Sequence, residues 1–274
     1  MRILVTNDDG IDSEGLHCLA RAMHGLGDVV IVAPDSEYSG ASAALGALQK
    51  LQPEVHRVNV DGVAEAWAVT GPPALCVMFS RLGVFGDPFD LVVSGINPGA
   101  NVGRSVYHSG TVGAALTARL GGISGVAVSQ AVRDLGVEGQ AWDEMLEGQL
   151  WETAATVARA AVTGLLAVAP PRPLVLNINV PNLPLEELRG WRATTLGMIP
   201  PRAMASAALD PKPGHPGSFR VRMNWGEAVS LPAETDGGAV ERGEVSFTVL
   251  STLGELDPAL AAGSTAALDE LLAR

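Results

Sequence analysis

The chain has 274 residues, of which 47% are hydrophobic and only 4% aromatic, and its formal net charge is −12 at pH 7. This length suits one large domain, or one domain with an appendage, whose core is built from Ala, Val, Leu and Ile. The acidic balance excludes duplex nucleic acid as an expected partner, because phosphate backbones bind basic surfaces, but it leaves room for a small anionic substrate beside a bound cation.

The first 181 residues alternate strands with helices. Continuous apolar runs predict strands at 2–6 and 29–33, and Asp12 or Ser13 caps the helix between them. Further strands are expected at 54–60, 64–71, 89–95, 125–129 and 174–181, with helices opening at Pro72, over 111–120 and over roughly 146–168. This alternation predicts a doubly wound, three-layer α/β fold with a Rossmann-like, mostly parallel sheet.

Two stretches of this part have no regular pattern. Residues 41–52 are rich in Ala and Leu, but they are few and Gly46 interrupts them, so helix and loop both stay open. Residues 134–144 are expected to form a surface loop.

The pattern changes after residue 181. RGWRATTLG and FRVRMNW are extended segments separated by the Pro-rich DPKPGHPG, while 244–250 predicts a last strand and 258–273 a terminal helix. We therefore expect residues 1–181 to form the α/β core that holds the functional site. Residues 182–274 are expected to contain a β-rich oligomerisation arm, the last core strand and the terminal helix. An arm without a core of its own commonly packs on a partner subunit.

The sequence offers no segment for secretion or membrane insertion. The chain begins as a strand, and no apolar stretch is long and pure enough for a signal peptide or a membrane span. Cys18 and Cys76 lie in apolar helical patterns and are expected to be buried thiols without a disulfide. These features favour a cytoplasmic protein that does not contact a membrane.

Two adjacent carboxylates follow the first strand directly. Ligands of open α/β sheets bind at the carboxyl ends of the strands, where Asp8 and Asp9 are expected. Adjacent carboxylates repel each other unless one is protonated or a cation bridges them. A helix cap together with a solvated turn acid is the alternative, and this cluster alone leaves both interpretations open.

Oxygen-bearing side chains follow two more strands. Ser39 lies after the second strand, next to Gly40, which permits a close approach of the backbone, and Asn97 follows the 89–95 strand. With the two carboxylates they make an all-oxygen set, which suits Mg²⁺ or Mn²⁺ and leaves positions for water and substrate. Taken singly, a turn serine and a left-handed turn residue before Pro98 are the simpler explanations.

A polar loop ends where the 111–120 helix begins. Exposed amides at a helix start, with the hydroxyls of Ser109 and Thr111 around Gly110, predict an anion site, although a plain helix cap is commoner. Arg104 and His108 lie in the same loop and are interpreted as surface residues. Side-chain oxygens of the kind that bind hard metal ions follow three strands, and one of these loops ends in a helix start of the kind that binds phosphate. Together they indicate metal-assisted attack of water on a phosphoester.

Four segments of the chain, in order, resemble the SurE family of metal-dependent nucleoside-monophosphate phosphatases. They are MRILVTNDDG, VVIVAPDSEYSGAS, DLVVSGINPGANVG and SGTVGAA. The later NINVP at 177–181 and ETDGGAVERGEVSFTVL at 234–250 are also similar to that family's segments. The resemblance implies a 5′-nucleotidase that hydrolyses nucleoside 5′- and 3′-monophosphates to nucleoside and phosphate, with polyphosphate as a further class of substrate.

The resemblance also implies residue roles. It implies one divalent ion per subunit, Mg²⁺ or Mn²⁺, held by Asp8, Asp9, Ser39 and Asn97. Either Asp8 or Asp9 would position the attacking water or take its proton. Phosphate or substrate contacts are then expected from Asn7, Gly40, Asn101, Ser109, Gly110 and Thr111. A homodimer or tetramer formed through the C-terminal arm is implied as well.

Some positions depart from the family's pattern, and other functions stay open. Ala43-Ala44 replace Asn-Ser, His108 replaces Tyr, TVL replaces TPL in the last strand, and the arm at 198–220 lacks the usual Arg- and Tyr-rich sequence. These positions lie where a base or sugar would be sensed. A phosphatase with another small substrate and a non-catalytic nucleotide sensor are therefore alternatives. An aspartyl-phosphate enzyme would carry D-x-D, whereas Asp8 and Asp9 are adjacent, and a purely structural protein would not need this polar cluster.

Overall fold

A computed structural model describes residues 1–46, 52–132, 146–200 and 202–251, together with residue 264. The strands are β1 Arg2–Thr6, β2 Asp28–Pro34, β3 Val55–Val58, β4 Glu65–Val69, β5 Leu91–Pro98, β6 Ser124–Gln130, β7 Val175–Val180, β8 Trp191–Ala193, β9 Arg202–Pro211, β10 Phe219–Ala228 and β11 Val245–Leu250. The helices are α1 Glu14–Ala22, α2 Pro73–Arg81, α3 Gly110–Leu120, α4 Trp151–Ala167 and α5 Asp236–Glu241, with 3₁₀ turns at Gly103–Tyr107 and Leu185–Glu187.

Within these residues, nine strands form one sheet in the order β3-β4-β2-β1-β5-β6-β7-β11-β8, and β9 and β10 form a separate hairpin. The central strands are parallel, while β3 and β11 run antiparallel to β4 and β7. The chain builds outward from β1 through β2 and β4, then returns to the other side of β1 with β5. The strand order therefore reverses between β1 and β5, which is the place where open α/β sheets bind ligands.

Helices cover both faces of the central sheet, as the alternation along β1 shows. Ile3 and Val5 pack in a core formed with α1 and α4, while Leu4 packs in a second core formed with α2 and α3. All three side chains are fully buried. Strands buried on both faces explain why β1 is a continuous apolar run. The three-layer α/β fold predicted from the sequence is confirmed.

Two elements differ in extent from the prediction. β5 continues to Pro98, because its pairing with β6 resumes after an irregularity, with Asn97 opposite Ser129. Asn97 therefore lies among the last paired residues of β5 and not beyond the strand. Helix α4 begins at Trp151, later than expected, since residues 147–150 form a turn and an irregular stretch.

The arm is more regular than its sequence suggested. β9 was not expected, since RAMASAALDP is rich in residues that favour helix, but it pairs with β10 along its length. Residues 42 and 43 form a turn and the rest of 41–46 is irregular. Residues 47–51, the predicted loop at 134–144 and the predicted helix at 258–273, apart from residue 264, fall outside the described residues. The division of the chain at residue 181 stays a prediction.

The far end of the sheet has an apolar cleft beside α4. Leu165, Ile178, Trp191 and Phe247 are among the residues that line this cleft of about 730 Å³. The described residues leave 69% of Trp191 exposed there. No helix in the described parts of the chain is both long and apolar enough to span a membrane.

Candidate active site

The turn after β1 is shaped by its own asparagine. The Asn7 side-chain amide donates a hydrogen bond to the Gly10 carbonyl oxygen at 3.0 Å, and the Gly10 N–H donates back to Asn7 Oδ1 at 3.3 Å. Asn7 is fully buried, so both of its polar groups are used within the turn. This bonding directs Asp8 and Asp9 to the edge of the sheet. A contact of Asn7 with phosphate stays a prediction.

Asp8 is held against the first turn of α3. The Gly110 N–H donates to Asp8 Oδ2 at 3.1 Å, and the Thr111 hydroxyl donates to Asp8 Oδ1. A Cβ atom on Gly110 would lie 2.7 Å from Asp8 Cβ, so only glycine allows this approach. Burial raises the pKa of Asp8, although the bonds from Thr111 and Gly110 oppose that rise. One Asp8 carboxylate thus joins the end of β1 to the start of α3.

Asp9 differs from Asp8 in having no such partner. Both of its carboxylate oxygens are buried and accept no hydrogen bond within the described residues. Burial, with the negative charges of Asp8 and Glu37 nearby, raises the pKa of Asp9 to about 8. A buried carboxylate without partners is unfavourable unless it is protonated or a cation lies beside it.

The loop after β2 is hydrogen-bonded to the turn after β1 and to the loop before α3. The Tyr38 N–H donates to the Asp8 carbonyl oxygen at 2.7 Å, next to Ser39, and the Ser42 N–H donates to the His108 carbonyl oxygen at 3.2 Å. Ser39 and Gly40 lie between these two anchors and are exposed. The structure therefore brings the predicted Ser39 loop to the edge where Asp8 lies.

Asn97 lies at the end of β5, the strand that pairs with β1 on the side away from β2. Its side-chain amide donates to the Gly99 carbonyl oxygen at 2.7 Å, which fixes the side chain over the turn. No hydrogen bond to its side-chain oxygen is found in the described part of the chain. The side-chain oxygen of Asn97 is therefore available as a ligand at the place where the strand order reverses, between β1 and β5.

Asn101 is buried in a network of amides that sequence reasoning missed. Its N–H donates to Asn179 Oδ1 at 2.7 Å, and its side chain donates to the Ser129 hydroxyl at 2.9 Å. Asn177 and Asn179 both donate to its carbonyl oxygen, at 2.9 Å and 3.3 Å. The signal was present in NINVP, where two polar residues alternate along an otherwise apolar strand. These residues hold the start of the polar loop against β6 and β7.

The helix start at 109–111 is built as expected for a cap, and it is buried. The Ser109 hydroxyl accepts from the Val112 N–H at 3.1 Å, and Ser109, Gly110 and Thr111 are all buried. Arg104 and His108 are exposed, and their side chains make no hydrogen bond or ion pair within the described residues. The structure therefore brings 109–111 to Asp8 and leaves the two basic side chains at the surface.

The residues at this edge fit a hard divalent cation. No group of three or more His, Cys, Asp or Glu side chains is arranged to hold a metal in the described residues, so neutral oxygens are needed beside the carboxylates. Ser39 and Asn97 supply such oxygens, and the unpartnered buried oxygens of Asp9 supply the charge. An all-oxygen set of this kind suits Mg²⁺ or Mn²⁺ better than Zn²⁺.

Comparisons with known proteins relate the sequence and the fold of the chain to one family. Residues 3–201 match the family described as survival protein SurE. Proteins named 5′-nucleotidase SurE from Legionella pneumophila (strain Philadelphia 1) and Acinetobacter baylyi are similar to the chain. The first is 37% identical over 254 residues, which cover 91% of this chain and 90% of the relative. The second is 39% identical over 258 residues, 90% of this chain and 92% of the relative. The crystal structure of SurE from Aquifex aeolicus superposes with a TM-score of 0.77 at 31% identity, covering 98% of this chain and 100% of that one.

Proposed function

This chain belongs to the SurE family, and we propose that it is a 5′-nucleotidase, a metal-dependent phosphomonoesterase that releases phosphate from nucleoside 5′- and 3′-monophosphates. Polyphosphate is a further proposed substrate class. One observation carries the proposal: within the described residues, both buried oxygens of Asp9 lack a hydrogen-bond partner, while the neighbouring Asp8 is bonded to a helix start. This observation supports the proposal, because a buried carboxylate without hydrogen bonds is stabilised as an anion when a cation lies beside it.

We assign the cation to Asp8, Asp9, Ser39 and Asn97. A divalent ion bound there supplies charge neutralisation of the phosphoryl group and lowers the pKa of water. The two Asp8 oxygens already accept bonds from Gly110 and Thr111, so Asp8 has less freedom than Asp9 to reach water. We therefore assign to Asp9 the role of positioning the attacking water and accepting its proton.

The phosphoryl group is proposed to lie at the start of α3. The positive end of the α3 dipole would stabilise the negative charge that grows on the phosphoryl oxygens. The Ser109 hydroxyl keeps its proton free to donate, because it acts as the acceptor in its bond with the Val112 N–H. Asn101 lies at the other end of the same loop, held by Asn177 and Asn179. Asn7 and Gly40 are the remaining proposed substrate contacts. Because Gly110 and Thr111 already donate to Asp8, the start of α3 is held in place before substrate binds.

We propose a homodimer or tetramer formed through the β9–β10 hairpin. Leu209, Val221 and Met223 are each at least half exposed on this hairpin. A two-stranded hairpin is marginally stable alone, so packing against another surface would stabilise it. A cytoplasmic location stays a prediction from the sequence.

A panel of mononucleotides tests the proposed function. Purified protein is incubated with 5′- and 3′-monophosphates and with polyphosphate, in Mn²⁺, in Mg²⁺ and in excess chelator. Phosphate release from the 5′-monophosphates is expected with metal and is expected to stop with chelator. Release that is equal with and without chelator would contradict the metal centre.

The same panel separates the enzyme from a nucleotide sensor. A sensor binds mononucleotide without releasing phosphate, so calorimetric binding together with no turnover would support it. The altered positions Ala43, Ala44 and His108 are all exposed in the loops beside the site, and this observation keeps the sensor as the second candidate.

A further inference from the structure

A buried carboxylate from the C-terminal part of the chain is bonded to the loop that leads to α3. Asp236, the first residue of α5, is 0% exposed. Its Oδ2 accepts a hydrogen bond from the Gly103 N–H at 2.7 Å, across 133 residues of sequence. Its Oδ1 accepts from the Gly197 N–H at 2.9 Å and from the Gly237 N–H at 2.9 Å. One side chain therefore joins three segments of the chain.

Among the described residues, only backbone N–H groups donate to this carboxylate. No ion pair to Asp236 is found in the described ranges. A buried ionised group is costly unless it is hydrogen-bonded, and charge-assisted bonds of this kind are stronger than neutral ones. Loss of the carboxylate would leave the amides of Gly103 and Gly197 buried without acceptors. The two amides and the carboxylate thus depend on one another.

The backbone is closely packed where Asp236 meets Gly103 and Gly197. Gly103 has φ +54°, and a Cβ atom there would lie 2.5 Å from the Gly197 carbonyl oxygen. The backbone N–H of Asp236 itself donates to the Thr195 carbonyl oxygen at 2.9 Å, so the segment before Gly197 is bound from two sides. The position of Gly103 is therefore fixed by residues far away in sequence.

Gly103 lies between the two ends of the proposed phosphate loop. Asn101, two residues before it, is held by Asn179, and the 3₁₀ turn that begins at Gly103 leads to Ser109, whose N–H donates to the Ser105 carbonyl oxygen at 3.1 Å. We propose that Asp236 is a positioning residue for the phosphate-binding loop. Because Gly197 precedes the β9–β10 hairpin, the same carboxylate couples the base of the hairpin to the active site.

A pair of variants in α5 tests this role. Asp236→Asn keeps the side-chain shape but turns an N–H donor toward a backbone N–H. Thr235→Ala is the matched control: it removes the cap bond from the Gly238 N–H to Thr235 Oγ1, 3.2 Å, and Thr235 does not bond to Gly103. Both variants are expected to lower the melting temperature, because both weaken α5.

Only Asp236→Asn is expected to change the site. We expect its kcat/KM for a 5′-monophosphate to fall about 10- to 100-fold, because small misplacements of positioning groups have effects of that size. Inorganic phosphate, titrated calorimetrically in the presence of Mn²⁺, should bind several-fold more weakly, while the affinity for Mn²⁺ alone is unchanged. If Asp236→Asn matches Thr235→Ala in kcat/KM and phosphate affinity, the positioning role is wrong.

The expected fall in kcat/KM rests on the proposed phosphatase activity, whereas the expected loss of phosphate affinity does not. A parent protein that releases no phosphate contradicts the proposed function, while weaker phosphate binding by Asp236→Asn would still support the positioning role. If Asp236→Asn does not fold, Gly103→Ala strains the same contact from the loop side. The same loss of phosphate affinity is expected for it, and an unchanged affinity would overturn the proposal.

Discussion

The two adjacent aspartates differ because their surroundings differ. Asp8 accepts hydrogen bonds from Gly110 and Thr111, whereas the buried oxygens of Asp9 accept none from the parts of the chain that the structure describes. Sequence alone placed both at the end of β1, since a short apolar run followed by polar residues marks a strand end. It did not distinguish their roles, because the partners of Asp8 lie more than a hundred residues away.

The pKa of Asp9 predicts how the stability of the metal-free protein depends on pH. This pKa is raised from 3.8 to about 8, first by burial. Between these values the folded protein keeps a proton that the unfolded chain releases, so the free energy of unfolding falls as pH rises. With chelator present, that free energy should decrease by up to about 1.4 kcal/mol per pH unit from this group.

Thermal unfolding over that pH range checks this prediction. Asp9→Asn should show a flatter dependence than the parent, since the amide does not titrate. Added Mn²⁺ should raise the parent's melting temperature most at the alkaline end, where Asp9 is ionised. Identical pH dependence in parent and variant would show that Asp9 is not the group responsible.

Gly110 is predicted to be required at the contact between β1 and α3. In Gly110→Ala the added Cβ would lie 2.7 Å from Asp8 Cβ, so Asp8 or the helix must move. We expect a loss of about 1–3 kcal/mol in stability and a large loss of phosphatase activity. Gly164→Ala is the control, because a Cβ there meets nothing within 4 Å in α4, and it should stabilise the protein by about 0.5–1 kcal/mol. Chemical denaturation with a phosphate-release assay compares the two, and equal behaviour would contradict the close contact.

At the scale of elements, the β9–β10 hairpin has one apolar and one charged face. Val221 pairs with Leu209 across the hairpin, and Met223 lies two residues further along the same face. The intervening Arg222 forms an ion pair with Asp210 at 2.9 Å on the other face. An exposed face of this kind is expected to be covered by another surface.

Substitutions on the two faces of the hairpin should have different effects on assembly. Val221→Ser combined with Met223→Ser removes apolar area and should shift the protein to a smaller species. Arg222→Ser lies between them on the charged face and should leave assembly unchanged, since exposed ion pairs contribute little. Light scattering after gel filtration measures the masses. A parent that is monomeric, or a double variant with unchanged mass, would contradict the proposed interface.

Elements with a strong local pattern were predictable, and those that depend on distant partners were not. β1 followed from a five-residue apolar run, and α3 from the small residues after Ser109. β9 was missed because its Ala-rich sequence becomes a strand only through pairing with β10. The short α5 was missed because Gly237 and Gly238 disfavour helix, while Thr235 caps it and Asp236 bonds to remote loops.

At the scale of the whole molecule, the site is assembled by topology. β1, β2 and β5 are neighbours in the sheet, although their carboxyl ends are far apart in sequence. The reversal of strand order brings Asp9, Ser39 and Asn97 to one edge, and α3 closes that edge through Asp8. The C-terminal part contributes through Asp236, which bonds to Gly103, so residues from both ends of the chain shape the proposed metal and phosphate centre.

Asp9→Asn tests that central claim most directly. Mn²⁺ binding is measured by calorimetry, and phosphate release from a 5′-monophosphate is measured on the same sample. Asp12→Asn is the control, because Asp12 is an exposed carboxylate of the same turn. We predict that Asp9→Asn keeps the fold, loses measurable Mn²⁺ binding and loses activity by at least about a hundredfold, while Asp12→Asn resembles the parent. Full activity and unchanged Mn²⁺ affinity in Asp9→Asn would contradict the proposed centre.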